Sequence, residues 1–158
     1  MLENNICDDN IILMFNYTFG LSVKIDEEKA KILCLNHPEN LISLGLRYFM
    51  GWDCEKNVSK SEEYFIKSME SPINDGQMGF VLNMMGYFQS TKIDCKKEDI
   101  MRGIEHYKKS SEMGNSMGMF NLAYYHLRGK KNFQQNIQSL KFILSNEPKT
   151  FLMIKKKH

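Results

Sequence analysis

Apolar residues in this 158-residue chain recur in bursts at helical spacing, each stopped by glycine or proline and followed by a polar turn. Leu41, Leu44, Gly45 and Tyr48 fall at i, i+3, i+4 and i+7, one face of a helix that Gly51 ends. Tyr64, Phe65 and Met69 then form a second stripe, and Ser59-x-x-Glu62 predicts its start as a capping box. The same layout comes before and after. Upstream, Asp9 predicts the N-cap of an apolar helix over residues 10–19, and Gly20 its end. Asp26 predicts the cap of a second helix, with Glu27 and Glu28 at the positive end of its dipole. Downstream, residues 72–76 read as a turn. Phe80, Val81, Met84, Met85, Gly86 and Phe88 predict the next helix, residues 90–97 a long polar turn, and residues 98–111 a second helix that Gly114 closes as a left-handed C-cap. Residues 118–129 and 137–144 repeat the layout once more, and residues 151–154 predict a short last helix over the open end.

The chain therefore reads as one all-α array of about four helix pairs, over residues 9–37, 38–71, 75–114 and 115–146, with a capping segment and basic tail at 147–158. Small residues mark where helices cross: Gly45, Gly86 and Ala123 on first helices, and Ala30, Ser61, Gly103 and Ser139 on second ones. A glycine inside a helix costs about 0.5–1 kcal/mol against alanine, so close backbone approach must offset it. Three residues after each small residue of the second helices stand Leu33, Tyr64, His106 and Phe142, the expected bulky partners.

These residues resemble the Sel-one-like (Sel1) repeat family, relatives of the tetratricopeptide repeat. Its pattern is Leu-Gly-x-x-Tyr-x-x-Gly-x-Gly-Val-x-x-Asp-x-x-x-Ala-x-x-Trp-Tyr-x-Lys-Ala-Ala-x-x-Gly. In the second pair Leu44, Gly45, Tyr48 and Gly51 match, Cys54 stands for the Val, Asn57 for the Asp and Ser61 for the Ala. Tyr64-Phe65 replace Trp-Tyr there, and Lys67-Ser68-Met69 replace Lys-Ala-Ala. The third pair matches at Asp99, Tyr107, Lys109 and Gly114, with Gly103 for the Ala and Ser110-Ser111 for Ala-Ala. The first supplies Tyr17, Gly20, Val23, Asp26 and Ala30. The fourth supplies Leu122 and Gly129, with His126 for the Tyr. The first pair is short, Lys92 replaces the turn glycine of the third, and the last is degenerate. The resemblance implies a right-handed α-solenoid that acts as an adaptor between proteins.

Composition fits this picture. The chain is 42% hydrophobic and 25% charged, ordinary for a globular protein, and its 12 Met suit uneven gaps between helices. Net charge is +2, too small to argue for nucleic acid. Residues 1–63 hold 6 Lys/Arg and 11 Asp/Glu, whereas residues 64–158 hold 15 and 8, which suggests steering of an acidic partner toward the second half. Cys7, Cys34, Cys54 and Cys95 are scattered and form no zinc spacing; Cys54 and Cys95 read as small hydrophobes. His37, His106, His126 and His158 fall at no metal-ligand spacing, and His106 and His126 occupy aromatic positions, where packing is expected. Phosphate loops, nucleophile elbows and His-Glu-x-x-His are absent. Neither a signal peptide nor an 18-residue apolar run is present, so the expectation is an intracellular protein with reduced thiols.

The function this predicts is non-enzymatic: a scaffold that binds a partner protein or peptide on its concave surface, without metal, cofactor, nucleic acid or membrane. First helices are expected to line that surface, with Arg47, Asn83, Tyr87, Asn121 and Tyr124 pointing away from the core as candidate partner contacts. Two other readings compete. Cysteine-rich secreted relatives are associated with penicillin binding or β-lactamase activity, but this chain has at most one cysteine per pair. A structural subunit of a larger assembly, docked through opposite charges, is the other.

Overall fold

The computed structural model describes residues 2–129, with side chains from residue 10 to 128. Among the described residues the regular secondary structure is all α-helix. Its order is α1 (Leu2–Phe19), α2 (Glu27–Leu35), α3 (Leu41–Met50), α4 (Val58–Met69), α5 (Asp75–Ser90), α6 (Lys97–Glu112) and α7 (Ser116–Gly129). Each odd-numbered helix up to α5 packs on the even one after it, and successive pairs stack through α2 on α3, α4 on α5 and α6 on α7. Residues 137–144 and 151–154 lie outside the described residues.

Side-chain caps set where most of these helices begin. Asp26 caps α2 by accepting the Lys29 N–H at 3.0 Å. Asn40 caps α3 by accepting from Ile42 and Ser43. For α4 the cap is Asn57, which accepts the Lys60 N–H at 2.9 Å, and Ser59 lies inside the helix. The N-cap expected at Ser59 thus falls two residues earlier, at Asn57, as a single side-chain cap in place of the expected capping box. The backbone explains it: the Asn57 N–H donates to the Tyr48 carbonyl at 2.9 Å, which fixes where the chain re-enters a helix. Asn74 caps α5, so the expected turn at 72–76 gives way to helix from Asp75 onward. Asp9 lies within α1, which begins two turns upstream at Leu2, and so does not stand at the helix's N-cap position.

The crossings follow the small residues. A methyl at Gly45 would stand 2.9 Å from the Phe65 ring, and one at Gly86 would stand 2.6 Å from the Tyr107 ring and 3.0 Å from the Gly103 carbonyl oxygen. Ser61 adds a polar tie by donating to the Gly45 carbonyl at 2.7 Å. Ser110 does the same to the Gly79 carbonyl at 2.6 Å. The bulky partners are one residue further on than expected. Cys34, Phe65 and Tyr107, four residues after the small ones, are buried, whereas Leu33, Tyr64 and His106 are half-buried. Spacing of four keeps both residues on one helix face better than spacing of three when helices pack along their i±4 ridges.

The core runs through the pairs without a break, from Ile11, Met14 and Phe15 through Leu46 and Phe65 to Phe80, Met84 and Phe88. α1 also touches α5 directly, skipping a pair. Phe15 and Phe80 stack there with centroids 4.4 Å apart and planes 8° from parallel.

Candidate functional site

The five residues expected to face a partner divide into two groups. Arg47, at the end of α3, donates through Nε to the Trp52 carbonyl at 3.0 Å and through Nη2 to the Asp53 carbonyl at 3.3 Å. Its guanidinium braces the turn between α3 and α4. Asn83 and Asn121 do not point away from the core: they are 0% and 2% exposed. Asn121 Nδ2 donates to Asn83 Oδ1 at 2.8 Å, which ties α5 to α7. A buried amide without a partner loses its water bonds, so two asparagines across a crossing settle against each other.

Tyr87 and Tyr124 form the second group. Both are half-buried, with part of each ring at the surface. Tyr87 meets Phe49 edge-on, centroids 5.5 Å apart. Tyr124 meets Tyr125 edge-on at 5.4 Å and carries the Arg128 guanidinium over its ring at 4.9 Å. They hold equivalent positions, each directly after the small residue of its helix, Gly86 and Ala123. The counterparts in the earlier pairs are Phe15 and Leu46, both 0% exposed. One register position therefore runs along the first helices, sealed at α1 and α3 and opening at α5 and α7.

Sequence reasoning missed the rings that cations cover. Tyr48 and Tyr64 stack with planes 6° apart, Lys60 lies over Tyr48 at 5.2 Å and Lys67 over Tyr64 at 5.6 Å. The 12-residue separation of Tyr48 and Lys60 hides that pair in a one-dimensional reading. The histidines also differ from expectation. His126 is exposed, and half-buried His106 sets Nδ1 2.9 Å from its own helix's Arg102 carbonyl. In the second pair the same two register positions are held by Tyr64 and Tyr48, which stack on each other.

Cys34 is buried, with Sγ donating to the Ser43 carbonyl, and burial pushes its thiol up to about 11. Cys54 and Cys95 are half-buried, and no disulfide joins the three described cysteines. Among the described residues no group of three His, Cys, Asp or Glu is placed to hold a metal ion, and no helix is long and apolar enough to cross a membrane.

The charge is also differently placed from the two-halves reading. Residues 64–129 carry 8 Lys/Arg against 7 Asp/Glu, nearly neutral. The basic excess belongs to residues 130–158, with 7 Lys against one Glu.

Comparison with known proteins agrees with this geometry. The Sel1 repeat model matches residues 41–70, 81–115 and 116–138, more than half of the chain. A Sel1 repeat protein from Oxalobacter formigenes, known from its crystal structure, has the same fold with a TM-score of 0.54 at 24% identity. The match covers 86% of this chain, which spans 56% of that one. No curated protein matches the chain in sequence. With three matched repeats and stacked helix pairs crossing at their small residues, the chain belongs to the Sel1 repeat family.

Proposed function

We propose that this protein is a non-enzymatic scaffold that binds a partner protein or peptide on the inner face of its first helices, at the α5–α7 end. Sel1 repeat proteins are generally protein-interaction scaffolds, and a stacked array offers an extended surface rather than a pocket. The observation that carries the reading is the opening of one register position along the array: Phe15 and Leu46 are buried, while Tyr87 and Tyr124 are part-exposed. Tyrosine and arginine are among the residues that most often anchor interfaces, tyrosine because its rigid ring offers large area at low entropic cost and arginine because its planar guanidinium stacks and donates several hydrogen bonds. Tyr124 under Arg128 is such an anchor, held in place before any partner arrives.

The test is capture of partners in the native cell with the full chain and with a Tyr87→Ala/Tyr124→Ala variant. The partner recovered by the natural chain is expected to bind the variant at least tenfold more weakly, with the melting temperature of the variant within a few degrees of the parent. Equal recovery on both chains would overturn the placement. Arg47→Glu is a poor probe, since it removes the brace on the α3–α4 turn.

A further inference from the structure

We infer that α1 and α2 are a further copy of the repeat, outside the residues that the family model matches, and that its inner face is committed to the array rather than to a partner. The turn after α1 reproduces the turn after α3 bond by bond. Gly20 and Gly51 both take left-handed backbone, φ +70° and +77°. The N–H groups of Gly20 and Leu21 donate to the Asn16 carbonyl at 2.8 and 3.0 Å, as those of Gly51 and Trp52 donate to the Arg47 carbonyl at 2.8 and 3.1 Å. Then Asp26 N–H donates to the Tyr17 carbonyl at 3.0 Å, as Asn57 N–H does to that of Tyr48 at 2.9 Å. Both N-cap side chains accept from the residue three further on, Lys29 and Lys60. The same two lysines lie over the same two tyrosines, at 5.4 and 5.2 Å. Ala30 and Ser61 are both buried where the helices cross. Each of these is a separate geometric constraint at the same spacing, and helix hairpins in general do not share all of them.

The first copy departs from the pattern on its inner face, which accounts for its weak sequence match. Met14 stands where α3 has Gly45, and Phe15 where α3 has Leu46. Ile11, Met14 and Phe15 are fully buried. Phe15 stacks on Phe80, and a methyl on Gly76 would stand 2.9 Å from the Ile12 side chain, so α1 lies closely against the start of α5. The size is exchanged across the pair: Met14 replaces glycine where Cys34 replaces the Phe65 ring, and the Met14 sulfur accepts from Ser43 of α3 at 3.8 Å. The surface that a first helix would offer to a partner is, in this copy, part of the core, and the open surface of the array begins beyond it.

Hydrogen exchange by mass spectrometry on the full chain tests this without a partner. Asp26→Ala is expected to speed exchange in α1–α2 to the extent that Asn57→Ala speeds it in α3–α4, with melting temperatures lowered by amounts within a factor of two. Phe15→Ala is expected to speed exchange at least tenfold in the first half of α5 as well as in α1; Phe15→Leu gives the same readout if the alanine variant does not fold. An Asp26→Ala variant indistinguishable from the parent overturns the shared repeat. Faster exchange confined to α1–α2 in the Phe15 variant overturns the commitment of its inner face.

Discussion

Gly86 and Gly114 each call for glycine, but for different reasons and with different expected costs. Gly86 has ordinary helical backbone but no room: a methyl there would stand 2.6 Å from the Tyr107 ring and 3.0 Å from the Gly103 carbonyl oxygen. Gly86→Ala gains up to about 1 kcal/mol of helix propensity and loses more to overpacking, for a net destabilisation of about 1–2 kcal/mol in urea titration. Gly114 has open space around it but φ +81°. Gly114→Ala is expected to lose about 1 kcal/mol, and Gly114→Asn clearly less, since asparagine tolerates left-handed backbone. Cys34 supplies a second residue-scale test. Its thiol is buried, hydrogen-bonded and raised to about 11, so at pH 8 its thiolate is scarce and shielded. Iodoacetamide is expected to label half-buried Cys54 and Cys95 in the native protein, and Cys34 only after denaturation, read by peptide mass. The importance of Gly45 and Gly86 was legible in the sequence because glycine has few reasons to sit inside a helix. The burial of Asn83 and Asn121 was not, since a polar side chain on a first helix looks like a surface residue until its partner across the crossing is known.

At the scale of single helices, the caps make the clearest predictions. Asn57→Ala removes an N-cap and is expected to destabilise by about 1 kcal/mol. Asp26 and Asp99 add a pH dependence. The Lys29 N–H on Asp26 and the Lys96 N–H on Asp99 hold both carboxyls below the usual aspartate range. A group lowered in the folded state contributes stability above its unfolded pKa and loses it as pH falls through the folded one. The melting temperature is therefore expected to be flat in these two groups from pH 8 to 6 and to fall below about pH 4, the usual aspartate range. Asp26→Asn and Asp99→Asn should each flatten that acid limb; a limb unchanged in both variants would count against the cap assignment. Asp99 also illustrates the limits of pattern matching. It occupies the family's Asp position, but α6 starts earlier than its counterparts, so Asp99 sits in the first turn and reaches back to Lys96. Helix existence and pairing could be read from apolar spacing, but starting points depended on nonlocal bonds such as Asn57 to Tyr48, which no local pattern records.

For the whole molecule, the repeated spacing predicted stacked pairs, whereas the closure of α1 on α5 joins residues 65 apart in sequence, Phe15 and Phe80, and has no signature in either segment alone. The same long-range ties bear on how the array unfolds. Trp52, the only tryptophan of the chain, is buried in the turn of the second pair, and its indole N–H donates to Glu27 of the first pair at 3.0 Å. Lys31 and Asp53 make a second tie across the same junction at 2.8 Å, and Asp53 raises the Lys31 ammonium above its usual range. Trp52 emission therefore reports the junction between the first two pairs, while far-ultraviolet circular dichroism reports all helices. In a linear array with contacts only between neighbours, an end pair can fray before the rest. Here the first pair is held at two places, by Trp52 and Asp53 on α3's turn and by Phe80 on α5. The two probes are accordingly expected to give coincident urea midpoints in the natural chain. Phe15→Leu weakens the tie to α5 while leaving Trp52 and Glu27 in place, and should move the fluorescence midpoint below that of circular dichroism. Separate midpoints in the natural chain would mean that the contact with α5 does not couple the first pair to the rest. In that case the sealed inner face at α1 would be a local packing detail, and partner binding could extend over it.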